Sequence, residues 1–271
     1  MREVYERIVA DLTEAYGLLR DAQPASGRTP EELYVSQYAA AALLARVCNW
    51  GGDHETAERY ALEALKGPFA FIREEQIKNL FLGYTARTEC IWGLHAPDMY
   101  LDVRSRLYPT RLTDELDMVR DNYQTIFRVS SFTSTNNDYR YQSYFTRTKW
   151  EHSVVLLTKF YDKYYDEEQI VPSGRIPGPN LGRLPELYYI LAVVTARGLH
   201  PIEAADIATP ASFREELLNE IMKEFWGEGQ IFATYKRFNL PMEGVNGKEH
   251  PATDDTYLLP LPESEESAGI D

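Results

Sequence analysis

Three glutamates, Glu220, Glu224 and Glu228, recur every four residues and form the one carboxylate constellation in the sequence. Helical spacing would put them on one face, where they could act as a general acid/base pair or hold a cation. Either chemistry calls for convergent partners, and the sequence supplies none. His54, His95, His152, His200 and His250 are scattered, with no two on one helical face. There is no HExxH, CxxC or GxSxG motif and no phosphate-cradling glycine loop. The glutamates are therefore expected to pair with Lys223, Lys236 or Arg237 and lock helix to helix, with no catalysis, metal or cofactor.

Charge and cysteine content narrow the classes further. The 42 acidic residues against 28 basic ones give a formal net charge of -14, which repels phosphate backbones and disfavours a general nucleic-acid binder. Cys48 and Cys90, the only cysteines, lie too far apart for a disulfide framework or a zinc site. Cys48 falls in an apolar helical run and is expected to be a small buried hydrophobe. The first residues, MREVYERIVADL, form an amphipathic pattern with no apolar leader core, and no stretch is long and apolar enough to span a bilayer.

What remains is aromatic surface. The chain has 19 tyrosines and 11 phenylalanines, and several tyrosines sit in turn-rich sequence. A flat ring with a polar tip suits carbohydrate stacking and peptide contact alike. Tyr139, Tyr141 and Tyr144 cluster beside Asn136, Asn137 and Arg140; Trp92, Tyr100 and Tyr108 lie in a second loosely patterned stretch. These nine are the ligand-binding candidates. Their rings serve equally well as cover for the irregular region's own core.

The elements that must position them read as mostly α. Tyr5, Ile8, Leu12, Ala15, Tyr16 and Leu19 recur at helical spacing. Thr29-Pro30 with Glu32 predicts a second helix start by a capping box, the alanine-rich run through Val47 continues it, and Gly51-Gly52 ends it. Asp53 then caps a third helix carrying Ala57, Tyr60, Ala61 and Ala64. Residues 88–92 (TECIW) suggest a short buried strand, residues 130–144 a surface loop, and 172–185 an irregular segment. Helical order is expected again from Pro185 to a C-cap at Gly198, and in a short helix opened by Pro201. A longer helix follows, with a Ser212/Glu215 capping box and an apolar stripe of Leu217, Leu218, Ile221, Met222, Phe225 and Trp226. Residues 257–260 read as extended, with a frayed acidic tail after them.

Residues 29–65 resemble a tetratricopeptide unit: Leu44, Ala45, the Gly52-Asp53 turn, Ala57, Ala61, Ala64 and the later Pro68 match, while Cys48 stands where an aromatic is expected, with Trp50 nearby. One repeat cannot bury its own face, so it must pack on other helices. Further on, LPELYYILA (residues 184–192), LLNEIMKEFWGEGQIFATYKR (217–237) and YLLPLPESE (257–265) follow in order. Together with the TECIWGL segment they resemble the SusD/RagB family of outer-membrane nutrient-binding lipoproteins. Val193 departs from that family's usual acidic residue, and SEESAGID departs from its asparagine-containing tail.

The resemblance implies a single domain over 1–271: a tetratricopeptide-like helical part (1–84), an irregular loop-rich middle with few short strands (85–184) and a helical C-terminal part (185–271). It implies a cell-surface protein that binds oligosaccharide and acts with a SusC-like TonB-dependent transporter, with no catalysis and no cofactor. A RagB-like peptide binder or a tetratricopeptide-type interaction scaffold is the alternative. The family's signal peptide, lipidated cysteine and further N-terminal helices do not occur in this sequence, so the chain is expected to match a C-terminal portion or a shortened relative. In that family the GEG run is scaffold, and ligand contact is expected at the tyrosine-rich loops.

Overall fold

The computed structural model describes residues 2–21, 35–79, 88–93, 118–130, 136–147, 154–157, 159, 180–187, 193–243 and 248–258. Three helices open the chain: α1 (Arg2–Arg20), α2 (Gln37–Gly51) and α3 (His54–Ala64). The Ser36 side chain caps α2 by accepting from Ala39 N, so this described helix starts at Gln37; the expected start at Thr29-Pro30 lies outside the described residues. Gly52, at φ 85°, ends α2 in the left-handed region, and Asp53 caps α3 by accepting from Thr56 N, as the sequence predicts.

Small residues let these helices approach. Ala39, Ala40, Ala41, Leu44, Ala45 and Cys48 of α2 are buried, as are Ala57 and Ala64 of α3. Tyr5 of α1 lies against Gly51, where a Cβ would stand 2.5 Å from its ring. Tyr16 meets Tyr60 edge-on at 5.5 Å and donates to Glu63 at 3.1 Å. The tetratricopeptide-like packing expected from the alanines is thus present, and β1 (Cys90–Gly93) follows where residues 88–92 suggest a strand.

The middle of the chain contributes β2 (Met118–Val119), α4 (Arg120–Phe127), α5 (Tyr139–Ser143), β3 (Phe145–Arg147), β4 (Val154–Leu157) and β5 (Asn180–Arg183). β5 falls within the segment expected to be irregular. It pairs antiparallel with β1, Cys90 facing Arg183, while β4 sits between β2 and β3 in a second antiparallel sheet. The expectation of a surface loop over 130–144 is corrected in its second half. Asp138 caps the short α5, and Tyr141 and Tyr144 enter the main apolar cluster with Tyr123, Ile126, Phe127, Phe145, Val155, Leu157 and Met222. Tyr123 explains the pull: its ring stacks on Tyr141 at 5.3 Å and its hydroxyl donates to the Tyr141 carbonyl at 2.8 Å.

The C-terminal part begins with two 3-10 turns, Leu184–Leu187 and Val194–Arg197, the second closed by Gly198 at φ 85°. After Pro201 a turn replaces the expected short helix. α6 (Pro210–Phe225) is capped by Thr209 reciprocally with Ser212, rather than by Ser212 with Glu215, because Pro210 already occupies the first turn. The chain leaves the helix at Trp226 (ψ 131°) and crosses Gly227 and Gly229, both at positive φ, before α7 (Gln230–Phe238). β6 (Met242–Glu243) and β7 (Glu249–His250) form a small hairpin; α8 (Asp254–Tyr257) takes in the first residue of the segment expected to be extended, Leu258 is extended (φ -103°, ψ 124°), and 259–260 lie outside the described residues. Tyr257 is buried, its hydroxyl bonded to the Leu240 carbonyl and its own carbonyl held by Lys236.

Candidate ligand-binding site

The three spaced glutamates lie at the centre of a buried ionic network. On α6 the interior face includes Glu216, Asn219, Glu220, Lys223 and Glu224 beside Met222 and Phe225, while Leu217, Leu218 and Ile221 are only half-buried. The buried face is therefore more polar than an apolar stripe predicts. Glu224 is fully enclosed and meets three guanidinium groups: Arg183 Nη1 at 2.8 Å, Arg197 Nη2 at 2.9 Å and Arg140 Nη1 at 3.3 Å. Glu220 takes Arg140 Nη2 at 2.7 Å and pairs with Lys223. Glu228, past the helix end, is gripped by Arg183 and by Lys159.

Two more carboxylates close the network. Asp138 accepts from Arg140 Nε at 2.8 Å and Nη2 at 2.7 Å as well as from its backbone N–H at 3.0 Å. Glu89, just before β1, forms a two-pronged pair with Arg197 and accepts from Ile72 N at 2.9 Å. Five carboxylates (Glu89, Asp138, Glu220, Glu224, Glu228) thus face five cations (Arg140, Lys159, Arg183, Arg197, Lys223). Charges this deep persist only when neutralised and hydrogen-bonded, which this balance achieves.

The network holds Glu224 in a state unsuited to acid–base work. Burial opposes the charge on Glu224, but Arg197 and Arg183, with Arg140 behind them, outweigh it and hold the carboxyl well below the usual range. A carboxylate held that way neither donates a proton near neutrality nor accepts one readily. The locking role expected from spacing is present, with one partner as predicted, Lys223. The other two differ: Lys236 donates to Tyr257 O, and Arg237 donates to Asn49 O at 2.9 Å and lies over Trp50. Among the described residues no group of histidine, cysteine or acidic side chains could hold a metal ion.

The nine candidate ligand residues separate by placement. Arg140, Tyr141 and Tyr144 are buried to within 1% and contact protein groups, so as ligand contacts they are corrected: a ring or guanidinium without surface cannot meet a sugar. Asn136 is half-buried and committed locally, donating to Phe127 O at 2.9 Å and accepting from Asp138 N at 2.7 Å. Asn137 is exposed and Tyr139 half-buried. Both pack against the Gly198 turn, where a Cβ would meet the Tyr139 ring at 2.3 Å and the Asn137 carbonyl at 2.6 Å. Trp92 is half-buried and packs on a different cluster, that of α2, α3 and β1. Tyr100 and Tyr108 lie outside the described residues.

Sequence reasoning missed Glu89, Lys159, Arg183 and Arg197. The available signal was their setting: Arg197 follows the apolar run LAVVTA, and Arg183 directly precedes Leu184-Pro185. A lone cation embedded in apolar sequence demands a buried partner.

An α-helical stack, short antiparallel strands and a central ionic clasp on α6 define an α-rich scaffold of the tetratricopeptide-like kind. Its fold is similar to that of solved SusD superfamily proteins. The chain superimposes on a SusD superfamily protein from Bacteroides thetaiotaomicron with a TM-score of 0.72 at 21% identity, covering 98% of this chain and 64% of that one. A SusD-like carbohydrate binding protein from Bacteroides vulgatus gives 0.69 at 18% identity, with 98% and 64% covered. A SusD-like protein from Bacteroides fragilis gives 0.69 at 15% identity, with 99% and 70% covered. The chain spans 64% of the length of the first two. No protein-family model and no curated protein matches the sequence.

Proposed function

We propose that this protein is a glycan-binding component of nutrient uptake, which captures oligosaccharide at the cell surface beside a SusC-like TonB-dependent transporter of the outer membrane. The observation that supports it most is the shared fold over 98% of the chain with a SusD-like carbohydrate binding protein. The consumption of the glutamate cluster by structural cations adds to it, because it removes the best catalytic candidate. No described helix is long and apolar enough to cross a membrane.

The contacts proposed are the exposed Asn137 and the half-buried rings of Tyr139 and Trp92, with Tyr100 and Tyr108 as further aromatic candidates. Tyr139 is a ring fixed on a glycine turn with part of its surface in water, which brings stacking area at little entropic cost. Affinity electrophoresis through gels containing a panel of polysaccharides tests the reading. Retardation on at least one glycan, weakened by Asn137→Ala and Tyr139→Ala, is expected. Migration unchanged by every glycan would overturn it.

A further inference from the structure

The end of α2 displays an aromatic side chain that the core does not use. Trp50 keeps 46% of its surface exposed, and Asn49, Gly51, Gly52, Asp53 and His54 around it are exposed too. Its ring is nevertheless held. The Arg237 guanidinium, from the last turn of α7, lies 5.5 Å from the ring centroid. Arg237 Nη2 is itself fixed by Asn49 O at 2.9 Å and Asn49 Oδ1 at 3.3 Å, and His54 Nδ1 meets the same Oδ1 at 3.2 Å. The indole is thus backed by a cation while nearly half of the residue's surface stays exposed. The surface beside it is open: no heavy atom comes within 4 Å of a Cβ built on Gly52.

The donors at this spot are uneven in a useful way. Asn49 engages its side-chain oxygen with Arg237 and His54, so its side-chain amide N–H groups remain as donors for a ligand, and Arg237 uses Nη2 in its contacts with α2. A fixed flat apolar plate rimmed by N–H donors fits the C–H face of a pyranose, with ring hydroxyls accepting at the rim. The net charge of -14 argues against an acidic sugar, since the whole-molecule field repels one.

We infer that Trp50, with Asn49 and Arg237, forms a stacking platform for a neutral pyranose of a glycan chain, on the helical stack and apart from the surface around Asn137 and Tyr139. The inference rests on the glycan-binding reading above and adds a second contact to it. Four proteins decide it, compared by affinity electrophoresis on the neutral polysaccharides amylopectin, xyloglucan and galactomannan: wild type, Trp50→Ala, Trp50→Phe and Tyr139→Ala. On a gel that retards the wild type, Trp50→Ala is expected to bind about fivefold more weakly, and Trp50→Phe to keep an intermediate affinity because a stacking ring remains. Retardation of Trp50→Ala equal to wild type overturns the platform and leaves the glycan-binding reading standing. Equal losses in Trp50→Ala and Trp50→Phe, matched by equal falls in thermal midpoint, assign Trp50 to holding α2 against α7 and also overturn it. A wild type that no glycan retards overturns both readings.

Discussion

Arg197 and Glu89, 108 residues apart in sequence, face each other fork to fork: Nη1 donates to Oε1 and Nη2 to Oε2, each at 2.8 Å. The pair is fully enclosed, and Arg197 reaches on to Glu224. It ties β1, the turn before Gly198 and α6 into one unit. Parallel N–H···O bonds of this kind combine strength with a fixed orientation. Removing one partner leaves the other charged in a low-dielectric interior. Glu89→Ala and Arg197→Ala are each expected to lower unfolding stability by about 3–5 kcal/mol. The double variant should lose less than the sum of the two, because it strands fewer charges. Urea titration of the four proteins measures this, and additive losses would show that the pair acts through separate contacts.

Acid should loosen the same clasp. Burial disfavours the Glu224 carboxylate, yet Arg197 and Arg183 hold its folded-state value well below the ordinary 4.5. Below that ordinary value the unfolded chain takes up a proton that the folded chain refuses, so stability falls as pH drops. Its contribution is whole above the ordinary value and declines with further acidification. Urea midpoints between pH 7 and pH 3 should show the decline. Glu224→Gln should be less stable at pH 7 and flatter through the acid range, and an acid limb equally steep in both proteins would assign the effect elsewhere.

How much of this was legible beforehand depends on whether the signal was local. The α2–α3 turn was readable because Gly52 and Asp53 each have a local task, a left-handed residue and a side-chain cap. The middle region was not. Tyr141 and Tyr144 look like loop residues because their partners, Tyr123 and Phe127 among them, are supplied by distant elements. The inward face of α6 was only partly read, for a related reason: Met222 and Phe225 are buried as the stripe predicts, but its charged members were not foreseen. Hydrophobic spacing finds Leu217 and Ile221, whereas burial goes to Glu220, Lys223 and Glu224, whose counter-charges lie on other segments. Periodicity detects apolar faces and cannot see a charged face that is neutralised from outside. Of the nine candidate contacts, composition could find the cluster around residue 139; which of its rings keep a surface was settled by α5 and the Gly198 turn.

Alkaline pH should act in the opposite sense through Lys159. Its ammonium donates to Glu224 O at 2.6 Å, pairs with Glu228 and lies 4.5 Å from the Tyr144 ring centroid. Burial dominates and, despite Glu228, lowers its value from 10.5 to about 8. Between those two values the unfolded chain holds more protons, so this group adds stability as pH rises from 8 towards 10.5 and withdraws it as pH falls back through 8. Lys159→Met removes the titration and should flatten that part of the stability profile. A wild-type and Lys159→Met pair with parallel profiles from pH 7 to pH 9.5 would show that Lys159 keeps its proton throughout.

Two glycines with the same backbone separate conformational strain from crowding. Gly52 and Gly198 both sit at φ 85°, where any L-residue is strained. Around Gly52 a Cβ meets nothing within 4 Å, whereas at Gly198 it would stand 2.3 Å from the Tyr139 ring and 2.6 Å from the Asn137 carbonyl. Gly52→Ala should therefore cost about 1–2 kcal/mol, the backbone penalty alone. Gly198→Ala adds an overlap with main chain that cannot be relieved by rotating a side chain, so it should cost more and also displace residues 137–139. Thermal unfolding of both variants gives the stability order, and retention of each on a glycan gel gives the functional one. The expected pattern is unchanged retention for Gly52→Ala and weakened retention for Gly198→Ala. If Gly198→Ala unfolds earlier but is retained like wild type, the surface at Asn137 and Tyr139 is not where the glycan is held.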